Sequence, residues 1–221
     1  MTEPSPPPDW ILRPALLSDA PAVLEAFLAD PEMARQGDVT DLEDARTYLR
    51  RLTDAPTGHR AWVAVDDAGP ARALVGLAID SENLTGWFFY WAHPAVRGTG
   101  VMSAAAAAVA DHALDPDGLG LERLELGHRA NNPASGGVAR AAGFVQEGVE
   151  RAKFLVDGER IGVLTYGRLR SDPAPVGPRL PRDSRRRDQP TQGRHPWVRG
   201  SRSETITWTV DLGGWLHERD Q

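Results

Sequence analysis

The residues best placed to do chemistry lie in the run Trp87–Ser103, W-F-F-Y-W-A-H-P-A-V-R-G-T-G-V-M-S. An aromatic, strand-like segment ends at His93-Pro94, a turn follows at Arg97-Gly98-Thr99-Gly100, and an alanine-rich helix opens at Val101 and runs to Ala113. Glycine at such a turn lets the backbone come close to a ligand. The first-turn N–H groups of the helix have no intrahelical acceptor, so they form a ready site for a phosphate. A tight turn with a helix start is the plainer reading of any lone G-x-G; a strand on one side and a long helix on the other favour the phosphate. A Walker loop is ruled out, because no lysine follows the glycines. The dinucleotide fingerprint needs a third Gly or Ala where Ser103 stands, inside a βαβ unit, whereas the strands before this turn are joined by short connections.

The elements that must position this turn can be read along the chain. Trp10–Ala15 is a strand, and Ser18-Asp19 precede a helix with Pro21 in its first turn and Val23, Leu24, Phe27 and Leu28 along one face. Thr40-Asp41-Leu42-Glu43 has the form of a capping box, starting a helix to Leu52. His59–Asp66 and Ala71–Asp80 are apolar runs about a D-D-A-G-P turn, a hairpin leading to the aromatic strand. After the alanine helix and a D-P-D-G-L-G loop, Leu121–Gly127 alternates as a strand, with Leu124 and Leu126 on one face and Arg123 and Glu125 on the other. Asn132 caps a helix over Pro133–Ala142 that Gly143 ends. Phe144–Leu155 and Arg160–Leu169 pair about the two-residue turn Asp157-Gly158. The order βααβββαβαββ is α+β in character.

Three segments in order resemble the GNAT acetyltransferase superfamily. Arg97-x-x-Gly100-x-Met102 resembles [QR]-x-x-G-x-[GA], departing at Met102, a larger side chain beside the expected pantetheine path. Asn132-Pro133-Ala134-Ser135, with Val138 and Gly143-Phe144, resembles N-x-A-S-x-x-V-x-x-x-x-G-F. Glu147-Gly148-Val149-x-Arg151, leading to Asp157-Gly158 and Tyr166, resembles the closing hairpin of the RimJ/RimL-like branch. The likeness covers residues 10–170. It implies the GNAT acyl-CoA N-acyltransferase fold, a mixed central sheet flanked by helices, with the region between the first strand and the hairpin as one wall of the acceptor site.

The same resemblance implies direct transfer of an acetyl group from acetyl-CoA, the cosubstrate, to a primary amine, with no metal. Trp91, Ala92, His93, Arg97, Gly98, Thr99, Gly100, Val101, Met102, Asn132 and Ser135 become the expected cosubstrate-binding residues. The amides around Arg97–Met102 would hold the pyrophosphate. A backbone N–H near Trp91–His93 would face the thioester oxygen, where charge builds. The arriving ammonium must lose a proton before it attacks. Glu125 is the expected base, at a position where relatives carry a glutamate; the alternative is an exposed strand carboxylate paired with Arg123. His93 and His128 are rivals, histidine being the side chain whose unperturbed pKa of ~6.5 lies near neutrality. The tyrosine that many relatives place on the helix after the Asn to protonate the leaving thiolate is Ala139 here, so Ser135 is the expected replacement, its other role being to cap the helix with Asn132. Gly162 stands where relatives carry an aspartate, a departure that argues against a standard ribosomal-protein substrate.

Composition bounds the rest. The chain has 221 residues, 41% of them apolar, enough for one domain with appendages. With no cysteine, disulfides and thiolate zinc sites are excluded. No apolar run approaches the ~20 residues that span a membrane, and the N-terminus lacks the basic and apolar parts of a signal peptide, so a cytoplasmic location is expected. Residues 1–9 read as a flexible leader, residues 171–203 as a Pro/Arg-rich linker, and 204–221 as a terminal segment in which Thr205–Val210 alternates like a short strand. The net charge of −6 divides unevenly: 16 basic and 25 acidic residues precede Arg179, and nine basic and six acidic follow from it. The arginine-rich tail is the one place where nucleic acid would bind, a solvated linker being the favoured reading. The expected partners are therefore acetyl-CoA and an amine acceptor, a peptide N-terminus or a small molecule, for a monomer or homodimer without membrane association. The competing reading is a non-catalytic acyl-CoA-binding adaptor that engages a partner through the basic tail.

Overall fold

In a computed structural model of the protein, residues 9–54, 57–67 and 69–183 are described. The leader before Asp9, the tail from residue 184 and the strand expected at Thr205–Val210 lie outside them. Seven strands, β1 (Trp10–Pro14), β2 (His59–Asp66), β3 (Ala73–Asp80), β4 (Thr85–Ala92), β5 (Arg123–Arg129), β6 (Val145–Val156) and β7 (Glu159–Leu169), form one sheet ordered β1-β2-β3-β4-β5-β7-β6. Four helices flank it: α1 (Ala20–Leu28), α2 (Leu42–Thr53), α3 (Val101–Leu114) and α4 (Pro133–Ala141). The expected element order and the mixed α+β architecture are both present. Among the described residues no helix is long and apolar enough to cross a membrane, and no cluster of three or more His, Cys, Asp or Glu could hold a metal.

Every neighbouring pair in the sheet is antiparallel except β4–β5, and that parallel pair is short. Only Thr85–Trp87 register with Arg123–Glu125. Beyond Trp87 the two strands diverge, while β4 stays paired to β3 as far as Ala92 and β5 stays paired to β7 as far as Arg129. A wedge opens in the middle of the sheet, and the start of α4 closes its wide end: the Tyr90 hydroxyl donates to the Ser135 carbonyl at 2.9 Å.

The period-2 alternation of β4 feeds two cores. Phe88 packs with α3, α4 and Phe144 on one face, and Trp91 packs with Phe27 and Tyr48 of α1 and α2 on the other. The Trp91 indole donates to the Tyr48 hydroxyl at 3.2 Å, which satisfies its one polar atom inside the core. Local capping differs in detail from the sequence reading. Asp41 rather than Thr40 caps α2, accepting from the N–H groups of Glu43 and Asp44 at 2.8 and 2.9 Å, and Asp44 reaches back to Thr40. Asp19 does not cap α1; its carboxylate takes the Leu16 N–H at 2.8 Å and a two-pronged bond from Arg13.

The largest difference follows Ser171, where composition indicates a linker. Residues 171–183 return along the domain and cross α3. Leu180 is 3% exposed and donates its N–H to the Ala104 carbonyl at 3.3 Å. Arg179 Nε bonds Asp111 at 2.8 Å, and Leu12 of β1 donates to Pro181 at 2.8 Å and accepts from Asp183 at 2.9 Å. This strap carries no hydrophobic period because backbone bonds and one leucine attach it, so periodicity could not reveal it. It also explains why α3 is buried nearly all round: sheet, α4 and strap each take a side, and alanines let all three approach. The Leu180→Ala protein should lose about 2 kcal/mol of unfolding free energy in urea, the lower part of the range for a buried leucine because a strap can settle. Val176, wholly exposed on the same segment, should lose under about 0.5 kcal/mol as alanine. Equal effects of the two substitutions would show that the strap does not pack as described.

Candidate active site

The turn after β4 adopts the conformation its glycines allow. Gly98 and Gly100 have φ of 75° and 85°, and Gly100 stands at the N-cap of α3. A side chain at either φ costs about 1–2 kcal/mol, which is why both positions are glycine. The turn presents the N-terminus of α3 to a cavity of about 620 Å³. Trp91, Ala92, Arg97, Gly98, Gly100 and Met102 line one side of it, and Asn132 and Ser135 of the α4 start line the other. These expected cosubstrate residues are thus brought together.

Three others are not on its wall. Val101 is fully buried in the core beneath the turn, and the Thr99 hydroxyl donates to the Val96 carbonyl at 2.8 Å and braces the turn from within. His93 turns away: its Nδ1 accepts the Ala95 N–H at 3.1 Å, leaving the Nε2 side 3.6 Å from Glu25. It shapes the turn, as its place before Pro94 allows. Arg97 is half-exposed at the cavity mouth, tied to Asp30 at 2.6 Å and to the Ala92 carbonyl at 3.1 Å. Met102 forms wall and core together, being 8% exposed.

The bond from Arg97 to Ala92 reports the direction of the β4 backbone. The His93 N–H donates to Arg72 on the β3 side. By the two-residue alternation of a strand, the N–H and C=O of Ala92 and Tyr90 then point into the wedge, where β5 no longer supplies partners. Of the segment Trp91–His93 expected to offer a donor, Ala92 is the residue whose N–H faces the cavity side.

A second, smaller cavity of about 70 Å³ lies deeper in the wedge, lined by Trp87, Phe89, Leu126, Gly127, His128 and Arg129 among others. Tyr90, Asn132, Ser135, Arg35 and Gln36 belong to both linings, so the cavities meet there. At that junction the Ser135 hydroxyl donates to the Tyr90 oxygen at 3.0 Å, and Asn132 Oδ1 accepts the Ser135 N–H at 3.1 Å. Ser135 therefore both joins the cap and faces the cavities. Burial pushes the Tyr90 phenol far above its ordinary value, so it keeps its proton. Residue types alone do not set Tyr90 apart within the aromatic run Trp87–Trp91; the alternation of β4 together with the divergence of β5 marks it.

His128 lies on the smaller cavity, 5% exposed and stacked on Tyr166. Its Nδ1 is 2.9 Å from the Arg129 carbonyl, which only accepts, so Nδ1 is the donor there; in the neutral ring this tautomer puts the lone pair on Nε2, 3.3 Å from the Tyr166 hydroxyl. Glu125 is not brought to either cavity. It sits at the last paired position of β4–β5 and accepts from Arg123 Nε at 2.7 Å, while the fork of the same guanidinium grips Glu147. The strand-carboxylate alternative matches this geometry, and parity explains it: residues 123 and 125 share a face, and the arginine between two glutamates takes both. Gly162 lies against β6, where an added Cβ would stand 3.0 Å from the Glu150 carbonyl. The irregular segment between Glu150 and Phe154 uses the space that a side chain there would need.

Residues 9–145 match the acetyltransferase (GNAT) domain family. No curated protein matches the chain in sequence. Among solved structures, RimL, the ribosomal L7/L12 alpha-N-protein acetyltransferase in complex with coenzyme A, is similar at 23% identity with a TM-score of 0.65, covering 74% of this chain and 95% of its own. Spermidine N-acetyltransferase from Vibrio cholerae, in complex with CoA and spermine, is similar at 20% identity and a TM-score of 0.64, covering 74% and 97%. Ribosomal-protein-S5-alanine acetyltransferase from Vibrio fischeri gives 19% and 0.64, covering 74% and 94%. A glycine turn feeding a buried helix, a parallel strand pair that parts beside it and the match over most of the domain agree: the chain belongs to the GNAT acetyltransferase family.

Proposed function

We propose that acetyl-CoA occupies the larger cavity, that the amine acceptor enters through the smaller one, and that transfer takes place where the two meet at Tyr90, Asn132 and Ser135. That shared wall is the observation that carries the reading. The pyrophosphate lies on the first turn of α3, whose N–H groups have no acceptor within the helix, and Arg97 adds charge at the mouth. The thioester oxygen takes the Ala92 N–H, a fixed dipole of the strand that needs no reorganisation as charge develops. The amine attacks the thioester carbon, the C–S bond breaks, and the proton shed by the ammonium passes to His128 Nε2. As the C–S bond breaks, the Ser135 hydroxyl turns from the Tyr90 oxygen to the thiolate and gives it a proton, and the second proton shed by the new amide nitrogen restores it through Tyr90, which ends protonated as it began. The acceptor is a peptide α-amine or a small-molecule primary amine.

Mass spectrometry of a mixed panel of peptides and small amines incubated with acetyl-CoA tests the reaction. An acetylated product establishes it and separates the two acceptor classes; CoA binding without product on any amine supports the adaptor reading instead. His128→Gln should lower kcat by about 100-fold, in the range for loss of a positioned base, and Glu125→Gln should change it less than about threefold. The reverse ranking would return the base to Glu125. Ser135→Ala and Tyr90→Phe should each lower kcat by about 10- to 100-fold while CoA affinity by calorimetry stays within a few fold.

Arg97→Ala tests the other end of the cavity. It should weaken CoA binding by about tenfold, the loss of one charge-assisted contact, and flatten the dependence of affinity on salt. Unchanged CoA affinity would place the pyrophosphate away from this turn.

A further inference from the structure

The smaller cavity has a distinct electrostatic character. Of its charged lining residues, Arg35 and Arg129 are both cationic, and no aspartate or glutamate lies on its wall among the described residues. Arg129 has no carboxylate partner among those residues. Its guanidinium lies 5.3 Å from the Phe154 ring, and its Nε is buried without a hydrogen-bond partner. Arg35 comes from the opposite side, on the 3-10 turn Pro31–Gln36, and pairs with Glu32. Desolvation and then the charge of Arg129 hold the Arg35 pKa below its ordinary value, so the two cations feel each other across the cavity; Asp30 and Asp157 act the other way. The remaining wall is aromatic and apolar, with Trp87, Phe89 and Leu126.

A polycationic amine is poorly served by this arrangement. It would bring a second ammonium beside two guanidinium groups with no carboxylate on the wall to receive it. An unpaired guanidinium with a buried donor suits the opposite charge, since its planar fork matches a carboxylate and a donor left unpaired in a dry site is costly. We infer that the acceptor is an amine that carries a carboxylate, held by Arg129 with Arg35 behind it, and that this charge preference distinguishes the site from one built for polyamines. The inference rests on the proposed reading of the smaller cavity as the acceptor entrance. The carboxylate has two chemical sources, a free amino acid or the side chain of an acidic residue next to a peptide N-terminus.

Competition kinetics at saturating acetyl-CoA decides it. The probes are phenylalanine against phenylalaninamide, the amidated dipeptide Ala-Asp against Ala-Asn, and spermidine. In at least one pair the carboxylate member should have the higher kcat/KM by about 30-fold, within the range of a hydrogen bond to a charged group. The pair that shows the difference names the source. Arg129→Gln should bring that ratio near one, and Arg129→Lys should restore part of it. Spermidine or the neutral members reacting as well as the acids, or a ratio untouched in Arg129→Gln, would overturn the inference while leaving the acetyl transfer standing. Absence of product on every amine would instead count against the proposed reaction. Calorimetric titration of the same probes in the presence of CoA would then decide the charge preference, tighter binding of the acids supporting it and equal binding ending it.

Discussion

The structure depends on a parallel pairing that stops after three residues. Had β4 and β5 stayed paired, their facing N–H and C=O groups would be consumed in the ladder and the middle of the sheet would be closed. Their divergence leaves the backbone of Tyr90 and Ala92 directed at space, and the residues proposed for catalysis gather along that gap. β3 and β7 hold the diverging strands from outside over their full lengths, so the opening weakens one seam without loosening the sheet. The start of α4 sits at the wide end and takes its position from the strand it faces, through the hydroxyl and carbonyl of Ser135 bonded to Tyr90.

Support for the turn proposed to hold the pyrophosphate comes from behind it. A helix loose at the surface could tilt its N-terminus away from the cavity, whereas α3 is buried nearly all round, and its orientation is fixed by neighbours rather than by its own sequence. Asp111 shows how the seal is tied. Its two carboxylate oxygens receive Arg168, which is 4% exposed on β7, and Arg179 of the strap. One anion thereby joins the sheet, the helix and the returning chain. Pro178 of the strap reaches the wall of the larger cavity, so the segment that composition marks as a linker helps to shape the site.

Much of this was legible from residue types because local rules and tertiary demands agree. The limits of β2 follow from a run of eight residues between turn signals, and Asn132 caps α4 as its side chain dictates. The turn Asp157-Gly158 takes positive φ at both residues, as a two-residue hairpin requires. β5 is displaced by two residues from the expected Leu121–Gly127 to Arg123–Arg129, because Leu121 ends the preceding loop by bonding back to Ala113. The site was less legible. Glu125 and His128 lie on one strand and differ by parity and by three positions, and only the register against β4 tells which of them reaches the gap. Strap and wedge both depend on where pairing ends, which residue types encode weakly.

The placement of the hydroxyl pair follows from volume. Ala139, where relatives carry tyrosine, is fully buried in the same core against which Tyr90 packs, beside Phe88 and Phe144. A tyrosine on α4 at that point would have to displace these rings, and overpacking a filled core costs about 1–3 kcal/mol or more. A small residue on the helix and a large one on the strand fill the same region from opposite sides. The phenol then enters from β4, and its hydroxyl reaches the junction of the two cavities at the first turn of α4. Burial that would penalise an ionised phenol keeps this one protonated, so the packing that makes room for Tyr90 also fixes it as a neutral hydroxyl. The small residue at Ala139 and the tyrosine at position 90 are therefore one packing solution, in which the hydroxyl proposed as proton donor enters the same region of core from the strand rather than from the helix.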